Sequence, residues 1–376
     1  MNQIESLYIH VPFCATKCHY CAFNTYAFHK EQARRYLGAL RSEMELYRLD
    51  SDGLKTVFIG GGTPSILSAE SLEGLFKHLH AVFDVNGTAE ITVECNPGTV
   101  DRQKLEVMRS AGVNRLSFGV QAMDDATLEQ LGRIHTVDEV LQSYDLARRV
   151  GFDNINLDLM FGLPNQTVEG WKACLKEVIA LRPEHISAYS LMLEEGTVFY
   201  ESWRSGELQR LPDEIEAEMY QVTIDTLIRH GYEHYEISSF AKPSFTARHN
   251  LVYWKNRSYV GLGPGACGYV NGARYSNIRG VQEYVESLKL GRKPIADSEQ
   301  LTGRDEKAET VILGLRMREG IREEDYRRRF GEPIEAEFED VLDKWIGVSL
   351  LEWRGENLRL TNQGLFLANE VFVDFL

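Results

Sequence analysis

The densest chemistry in the chain lies in His10-Val-Pro-Phe-Cys-Ala-Thr-Lys-Cys-His-Tyr-Cys-Ala-Phe23, where Cys14, Cys18 and Cys21 stand in a C-x3-C-x2-C array. Three thiolates this close can hold three corners of a cubane iron–sulfur cluster, whose full protein ligand set is four cysteines. The fourth iron is then open to a chelating small molecule. Zinc is the competing occupant. Structural zinc sites close on four ligands and favour paired C-x2-C spacings, so zinc would need His10 or His19 to complete the set. Cys95, Cys174 and Cys267 are scattered along the chain. That is not a disulfide framework, and it suits a reducing compartment.

Such an array needs a rigid base. Leu7 to Val11 alternates apolar and polar residues until Pro12, which predicts a first strand. Thr56–Gly60, Glu90–Glu94, Arg115–Val120, Ile155–Met160 and His185–Leu191 predict five more, each followed by a helical pattern. The first helix is expected over 31–50, with Tyr36, Leu37, Leu40, Met44 and Tyr47 on one face, and the second from Ser68. Repeated β–α alternation means an α/β fold with parallel strands and right-handed crossovers. An open doubly wound sheet and a partial barrel both satisfy it, and both put the ligand site at the C-terminal ends of the strands. Gly60-Gly-Gly-Thr-Pro64, Glu94, Gln121, Asp158 and Gly162-Leu-Pro164 lie at those ends. Adjacent glycines let backbone approach a ligand and can offer N–H donors to an anionic group. The plain alternatives are an ordinary turn there and a surface or N-cap role for Glu94.

Residues 192–300 break the rhythm, with a helix over 212–230, a strand over Tyr232–Ser239 and a glycine-rich run from Gly261 to Gly268. Helices over 305–317, 323–330 and 334–346 follow. A hairpin from Leu350 to Leu360, turning at Arg354-Gly-Glu-Asn357, then leads to a helix after the N-cap candidate Thr361. Three helices and a hairpin make a winged-helix-like unit. The expected organisation is therefore a core over 1–240, an extension over 241–303 and a C-terminal domain over 304–376. That domain carries 11 Lys and Arg against 17 Asp and Glu, and the whole chain has a net charge of −15. Nucleic-acid binding needs a basic footprint and is not expected. No apolar run reaches the ~18 residues of a membrane helix, and Met1 to Ser6 is too polar for a signal peptide. The expected location is the cytoplasm, with at most peripheral contact at the inner face of the membrane.

The cysteine array and its flank, Leu7-Tyr-Ile-His-Val-Pro-Phe-Cys14, resemble the radical SAM (S-adenosylmethionine) superfamily. Within it they resemble the group that holds oxygen-independent coproporphyrinogen III oxidase and the HemW haem chaperones, and the likeness runs over nearly the whole chain. The resemblance implies a partial (β/α)6 radical SAM barrel with a [4Fe-4S] cluster on Cys14, Cys18 and Cys21 and SAM on the open iron. It implies that Gly61, Gly62 and Thr63 hold the methionyl part of SAM, that Glu94 bonds its polar groups, and that Tyr8 and Tyr20 line the adenosine side. Gln121, Asp158 and Arg133 (in Leu131-Gly-Arg-Ile-His135) match oxidase positions that contact a second SAM, and whether one SAM or two bind stays open. In such proteins the reduced cluster breaks a carbon–sulfur bond of SAM, giving methionine and a 5′-deoxyadenosyl radical. Whether SAM is cleaved here also stays open.

Two features depart from the oxidase: Phe23 stands where it has a fourth cysteine, and only about six residues precede the first strand. A third feature, His249-Asn-Leu-Val-Tyr-Trp254, resembles the HemW haem-binding signature. Neutral imidazole is a good axial ligand for haem iron, and Tyr253 and Trp254 offer flat apolar surfaces. The plain alternative is a hydrogen-bonded histidine beside core aromatics. His135, His185 and His234 are expected to serve structure, and Cys267 is an alternative iron ligand. The expected function is a haem chaperone that takes haem from a donor protein and passes it to respiratory haemoproteins. The alternative is oxidative decarboxylation of coproporphyrinogen III.

Overall fold

The computed structural model describes residues 4–47 and 53–376. Ser6–Val11 (β1), Leu54–Gly61 (β2), Val85–Cys95 (β3), Arg115–Gln121 (β4), Ile155–Phe161 (β5) and His185–Ser190 (β6) pair in parallel. They lie side by side in chain order. A doubly wound sheet reverses its strand order so that helices cover both faces. An order without reversal, with crossovers of the usual hand, keeps the helices on one face and curls the sheet around the other. Topology thus decides for the partial barrel.

The crossover helices are Lys30–Leu46 (α1), Ala69–Val82 (α2), Arg102–Ser110 (α3), Asp125–Gln130 (α4), Val137–Val150 (α5) and Val168–Ala180 (α6). Ser68, Asp101, Asp124, Thr136 and Thr167 cap α2 to α6, each accepting the backbone N–H three residues on. Such caps contribute about 1 kcal/mol each. The end expected for α1, at residue 50, lies outside the described residues.

After β6 come Val198–Arg204 (α7) and Asp213–Arg229 (α8). The single strand expected over 232–239 is two short ones, Glu233–Glu236 (β7) and Ser239–Ala241 (β8), because the chain turns at Ile237-Ser238 and folds back antiparallel. The boundary expected at 240 falls inside β8. Arg248–Trp254 (α9) then leads to Val260–Leu262 (β9), which pairs in parallel with β1 and makes a sheet ordered β9-β1-β2-β3-β4-β5-β6-β8-β7. The glycine run thus begins as a barrel strand. Cys267–Val270 (β10), Ala273–Asn277 (β11) and Ile295–Gln300 (β12) form a separate antiparallel sheet, with Val281–Lys289 (α10) between its last two strands.

The C-terminal unit has helices Gly303–Leu315 (α11), Glu323–Phe330 (α12) and Glu335–Gly347 (α13). Its wing is built from Ile321–Arg322 (β13), Leu351–Arg354 (β14) and Asn357–Leu360 (β15). Thr361 caps as expected, accepting the Gly364 N–H at 3.0 Å, but it opens a 3-10 turn, and the last helix, Ala368–Val373 (α14), follows that. No helix among the described residues is long and apolar enough to cross a membrane.

The strand faces divide sharply. On β4, Leu116, Phe118 and Val120 are buried in the hydrophobic core, while Arg115, Ser117, Gly119 and Gln121 line a cavity inside the barrel. Asn156, Asp158 and Met160 of β5 and Ser187 and Tyr189 of β6 repeat the pattern.

Candidate cofactor site

The cavity has a volume of about 670 Å³ and opens at the C-terminal ends of the strands. Its wall brings together Cys14, Cys18, Cys21, Tyr8, Tyr20, Gly61, Gly62, Thr63, Glu94, Gln121, Arg133 and Asp158, every site residue expected from sequence except His249.

The cysteine loop is tied at its base and flanks. Phe13–Cys14 pairs with Tyr26–Ala27, His19 N–H donates to Leu131 O at 3.0 Å, and Asn24 Nδ2 donates to Pro264 O and Arg279 O at 3.0 Å each. The three thiols are free and half-buried. Burial raises the Cys14 and Cys21 pKa values above the ordinary thiol value, and the neighbouring thiols add to this. A hydrogen bond from Thr63 opposes the rise at Cys14, one from the Phe23 backbone opposes it at Cys21, and the Arg133 charge opposes both. Thr63 Oγ1 donates to Cys14 Sγ at 3.5 Å and Arg133 Nη1 to Cys18 Sγ at 3.4 Å. Asn96 joins the two donors, since its Nδ2 donates to Thr63 Oγ1 at 3.1 Å and its Oδ1 accepts from Arg133 Nη2 at 2.8 Å. A continuous polar chain thus runs Cys14–Thr63–Asn96–Arg133–Cys18. Three thiols on one wall, backed by donors and facing a cavity, fit an iron–sulfur cluster with one open iron.

Zinc fits less well. No three His, Cys, Asp or Glu side chains among the described residues are gathered to hold a single ion. His10 Nε2 donates to Asn24 O at 2.9 Å, so Nδ1 is the acceptor for the Tyr8 hydroxyl, also at 2.9 Å, and no lone pair remains for a metal.

The glycine turn works differently from expectation. Its N–H groups do not face a ligand: Gly61 N–H donates to Glu94 Oε2 at 2.9 Å, Gly62 N–H to Val11 O at 2.8 Å and Thr63 N–H to Phe13 O at 2.8 Å. The turn is stitched to the strand and loop that carry Cys14. What glycine supplies is clearance, because a Cβ at Gly62 would sit 2.6 Å from Phe13 O.

Burial, then the nearby Asp158 charge, pushes the Glu94 carboxyl up to about 7, against the pull of the Gly61 N–H and of Arg115. Asp158 is also raised by burial, opposed by hydrogen bonds from Asn156 and Ser117. Gln121 has φ 72°, uncommon for a residue other than glycine, where the β4–β5 register slips. This irregularity sits at the mouth of the cavity, where local strain marks functional positions.

His249 lies off the cavity wall. Only 1% exposed, it makes hydrogen bonds with both ring nitrogens, Nδ1 with Thr56 Oγ1 and Nε2 with the Tyr253 hydroxyl, each at 2.8 Å. Its ring stacks on Phe58 at 5.3 Å. The reason is local. The motif forms α9, and the Glu90 carboxylate accepts the Arg248 and His249 N–H groups at 3.0 and 2.9 Å, which caps the helix and turns the histidine towards β2. The motif residues on the cavity wall are Asn250 and Tyr253. Cys267 is exposed. His135, His185 and His234 make protein hydrogen bonds, as expected for structural histidines.

Asn96, Arg115, Ser117, Asn156 and Ser187 line the cavity without having been singled out in the sequence. The signal for the last four was the polar residues at alternate positions of otherwise apolar strands. Asn96, inside Asn96-Pro-Gly98, carries only a turn signal in the sequence.

The model of the radical SAM superfamily matches residues 8–178, and that of the HemN C-terminal domain matches residues 301–367. Barrel, cysteine loop and these matches define a radical SAM protein with a HemN-type C-terminal domain. Over its full length the chain is 40% identical to the haem chaperone HemW of Bacillus subtilis, covering 99% of each chain. It is 36% identical to that of Lactococcus lactis, covering 100% of this chain and 98% of the relative. The chain belongs to the HemW family. The solved structure of coproporphyrinogen III oxidase (HemN) from Escherichia coli superposes with a TM-score of 0.85, covering 100% of this chain and 90% of that one; at 24% identity this is a likeness of fold.

Proposed function

We propose that the protein is a haem chaperone that binds a [4Fe-4S] cluster, SAM and haem, and passes haem from a donor to respiratory haemoproteins. The observation that carries this is the single cavity on which three cluster thiols and nine residues of the SAM side converge. The full-length relatives are haem chaperones by name. Phe23, 68% exposed on the cavity wall, takes the position of the oxidase's fourth cysteine. The oxidase alternative keeps only the shared fold.

When bound and reduced, the cluster would supply the single electron that radical SAM chemistry draws on. The chain's own part is to hold and tune. Cys14, Cys18 and Cys21 ligate, and Thr63 and Arg133 donate to the sulfurs, which eases the cluster's negative charge. The Glu94 carboxyl, poised near neutrality, can donate or accept a hydrogen bond to a polar group of SAM. Tyr8 is locked by His10 and presents its ring. Gln121 and Asp158 face the remaining space, where one SAM or a second ligand lies. Haem meets the α9 side through Asn250 and Tyr253, with His249 bracing that helix from behind. The C-terminal domain, 304–376, serves as a docking or covering unit. The protein works in the cytoplasm and meets a membrane only peripherally.

Anaerobic haem titration of cluster-reconstituted protein tests the reading. A saturable, near-stoichiometric Soret shift is expected. Non-saturating binding, together with porphyrin formed from coproporphyrinogen III in the presence of SAM and reductant, would replace the chaperone with the oxidase.

A further inference from the structure

Beneath the cavity a line of hydrogen bonds runs from β7 to Asp158, and its bonds all point the same way. The Asp158 carboxylate accepts from Asn156 Nδ2 at 2.8 Å on one oxygen and from Ser117 Oγ at 3.1 Å on the other. Asn156 Nδ2 also donates to Ser117 Oγ at 2.7 Å, which fixes the amide with its Oδ1 towards β6. There Oδ1 meets His185 Nδ1 at 2.6 Å and the Ser187 hydroxyl at 3.1 Å. An amide oxygen only accepts, so the His185 proton sits on Nδ1. Burial, then the Arg115 charge, holds the His185 pKa well below the ordinary value, so the ring is neutral and its Nε2 is an acceptor. The Tyr235 hydroxyl therefore donates to Nε2, at 2.8 Å, and accepts in turn from the N–H of Ala247, the residue before α9, at 3.3 Å. His185 and Tyr235 stand behind the cavity wall, whereas Asn156, Ser117 and Asp158 lie on it. A buried polar network is favourable only when its members are all paired, and this one is paired up to a carboxylate that has acceptor capacity left for the cavity. The floor also holds two carboxyls, Glu94 and Asp158, against the one guanidinium of Arg115, a balance that suits a donor or a positive charge.

We infer that His185 and Tyr235 are positioning residues of the ligand site: through Asn156 they hold the Asp158 carboxylate as an acceptor for a hydrogen-bond donor, or for the sulfonium charge, of SAM. This rests on the proposed binding of SAM. Without the Nδ1–H of His185, Asn156 is free to turn its own oxygen towards Asp158, where two acceptors then face each other.

SAM affinities of cluster-reconstituted wild type, His185→Gln, His185→Asn and Asp158→Asn test this. The amide nitrogen of asparagine can stand in for Nδ1–H, and that of glutamine only for Nε2. Both substitutions remove the ring and should lower the melting temperature alike, but only His185→Gln releases Asn156. His185→Gln and Asp158→Asn should each weaken SAM by about tenfold, and the double variant no further, because the same contact is lost only once. His185→Asn should bind SAM as wild type does. S-adenosylhomocysteine, which lacks the sulfonium charge, locates the partner: a loss that it shares points to a hydroxyl or amino donor, and a loss confined to SAM points to the sulfonium. Equal affinities of wild type and Asp158→Asn, additive losses in the double variant, or the same fall in both His185 variants overturn the inference. Nitrogen NMR shifts of the His185 ring in ligand-free wild type must show the Nδ1–H tautomer, and an Nε2–H tautomer overturns the inference even if neither His185 variant folds. A wild type that binds no SAM sinks the cofactor reading, and the tautomer then decides the line of hydrogen bonds alone.

Discussion

Replacing His249 separates two roles that a haem-binding measurement alone would confuse. His249→Ala removes the partner of Thr56 Oγ1 and of the Tyr253 hydroxyl, and the ring stacked on Phe58. Leaving buried polar groups unpaired costs about 1–3 kcal/mol each, and an emptied buried site adds to it, so the expected loss is roughly 3–5 kcal/mol. At about 2 °C per kcal/mol for a chain of this size, the haem-free protein should melt roughly 5–10 °C lower. A pH signature accompanies it. Burial, then the Arg115 charge, pulls His249 down to about 3. The folded state therefore binds this proton less well than the unfolded state, whose histidine titrates near the ordinary 6.5. The stability at stake is present above about 6.5 and is lost as pH falls towards 3. Urea melts of haem-free protein from pH 7 to 5 should show a shallower decline in His249→Ala than in wild type. Haem titrated below the variant's melting temperature should give the wild-type Soret position, since both ring nitrogens of His249 are engaged by the protein and neither is left for the iron. A variant with unchanged haem-free stability and pH profile, but with a Soret band shifted as by loss of an imidazole, would refute this and make His249 the ligand.

Glu94→Gln should remove a second pH dependence. The Glu94 carboxyl, raised to about 7, favours the folded state fully below its ordinary range and progressively less as pH rises through 7. Over that span the loss is at most about 3 kcal/mol, so the ligand-free variant should gain on wild type in urea melts at pH 8 and not at pH 4. Asn96→Ala cuts the link between Thr63 and Arg133, so the cluster's midpoint potential, read by a spectroscopic redox titration, should fall as hydrogen bonds to sulfur loosen; an unchanged potential would discard that chain. Gly62→Ala drives a Cβ against Phe13 O and should lower iron content towards that of the Cys14→Ala, Cys18→Ala, Cys21→Ala triple variant, while full iron loading would show that the turn has room to give.

The parallel strands, crossover helices and wing were legible because each rests on local signals: alternation, capping residues and turn glycines. The choice between open sheet and barrel was not, since strand order is a property of pairing across tens of residues. Nor was β9, three residues that run into the start of the glycine run, where Gly261 is needed because a side chain there would overlap the Cys267 carbonyl. The cysteines, Glu94, Gln121, Arg133 and Asp158 were legible at strand ends or through resemblance. His249 illustrates the opposite limit. Its neighbours in sequence are two aromatics, but its direction is set by Glu90, far away in the chain, which caps the helix.

The polar residues inside the strands have a physical reading of their own. A closed eight-stranded barrel fills its interior with layers of branched apolar side chains. Here seven parallel strands, β9 and β1 to β6, curl incompletely, and the inward positions of β3 to β6 include Glu94, Arg115, Ser117, Asn156, Asp158 and Ser187. Such a column stabilises nothing by hydrophobic burial, and each of its members must be hydrogen-bonded or solvated. The core that holds the fold together therefore lies between the sheet's outer face and the helices, where the apolar residues of the same strands meet α1 to α6. That division leaves the interior open from the thiols and Arg133 near the mouth to Arg115 at the floor. A substitution on the outward positions should thus be read first in stability, and one on the inward positions first in ligand affinity. His249 is the exception that the geometry explains, a motif residue whose contacts are those of the frame.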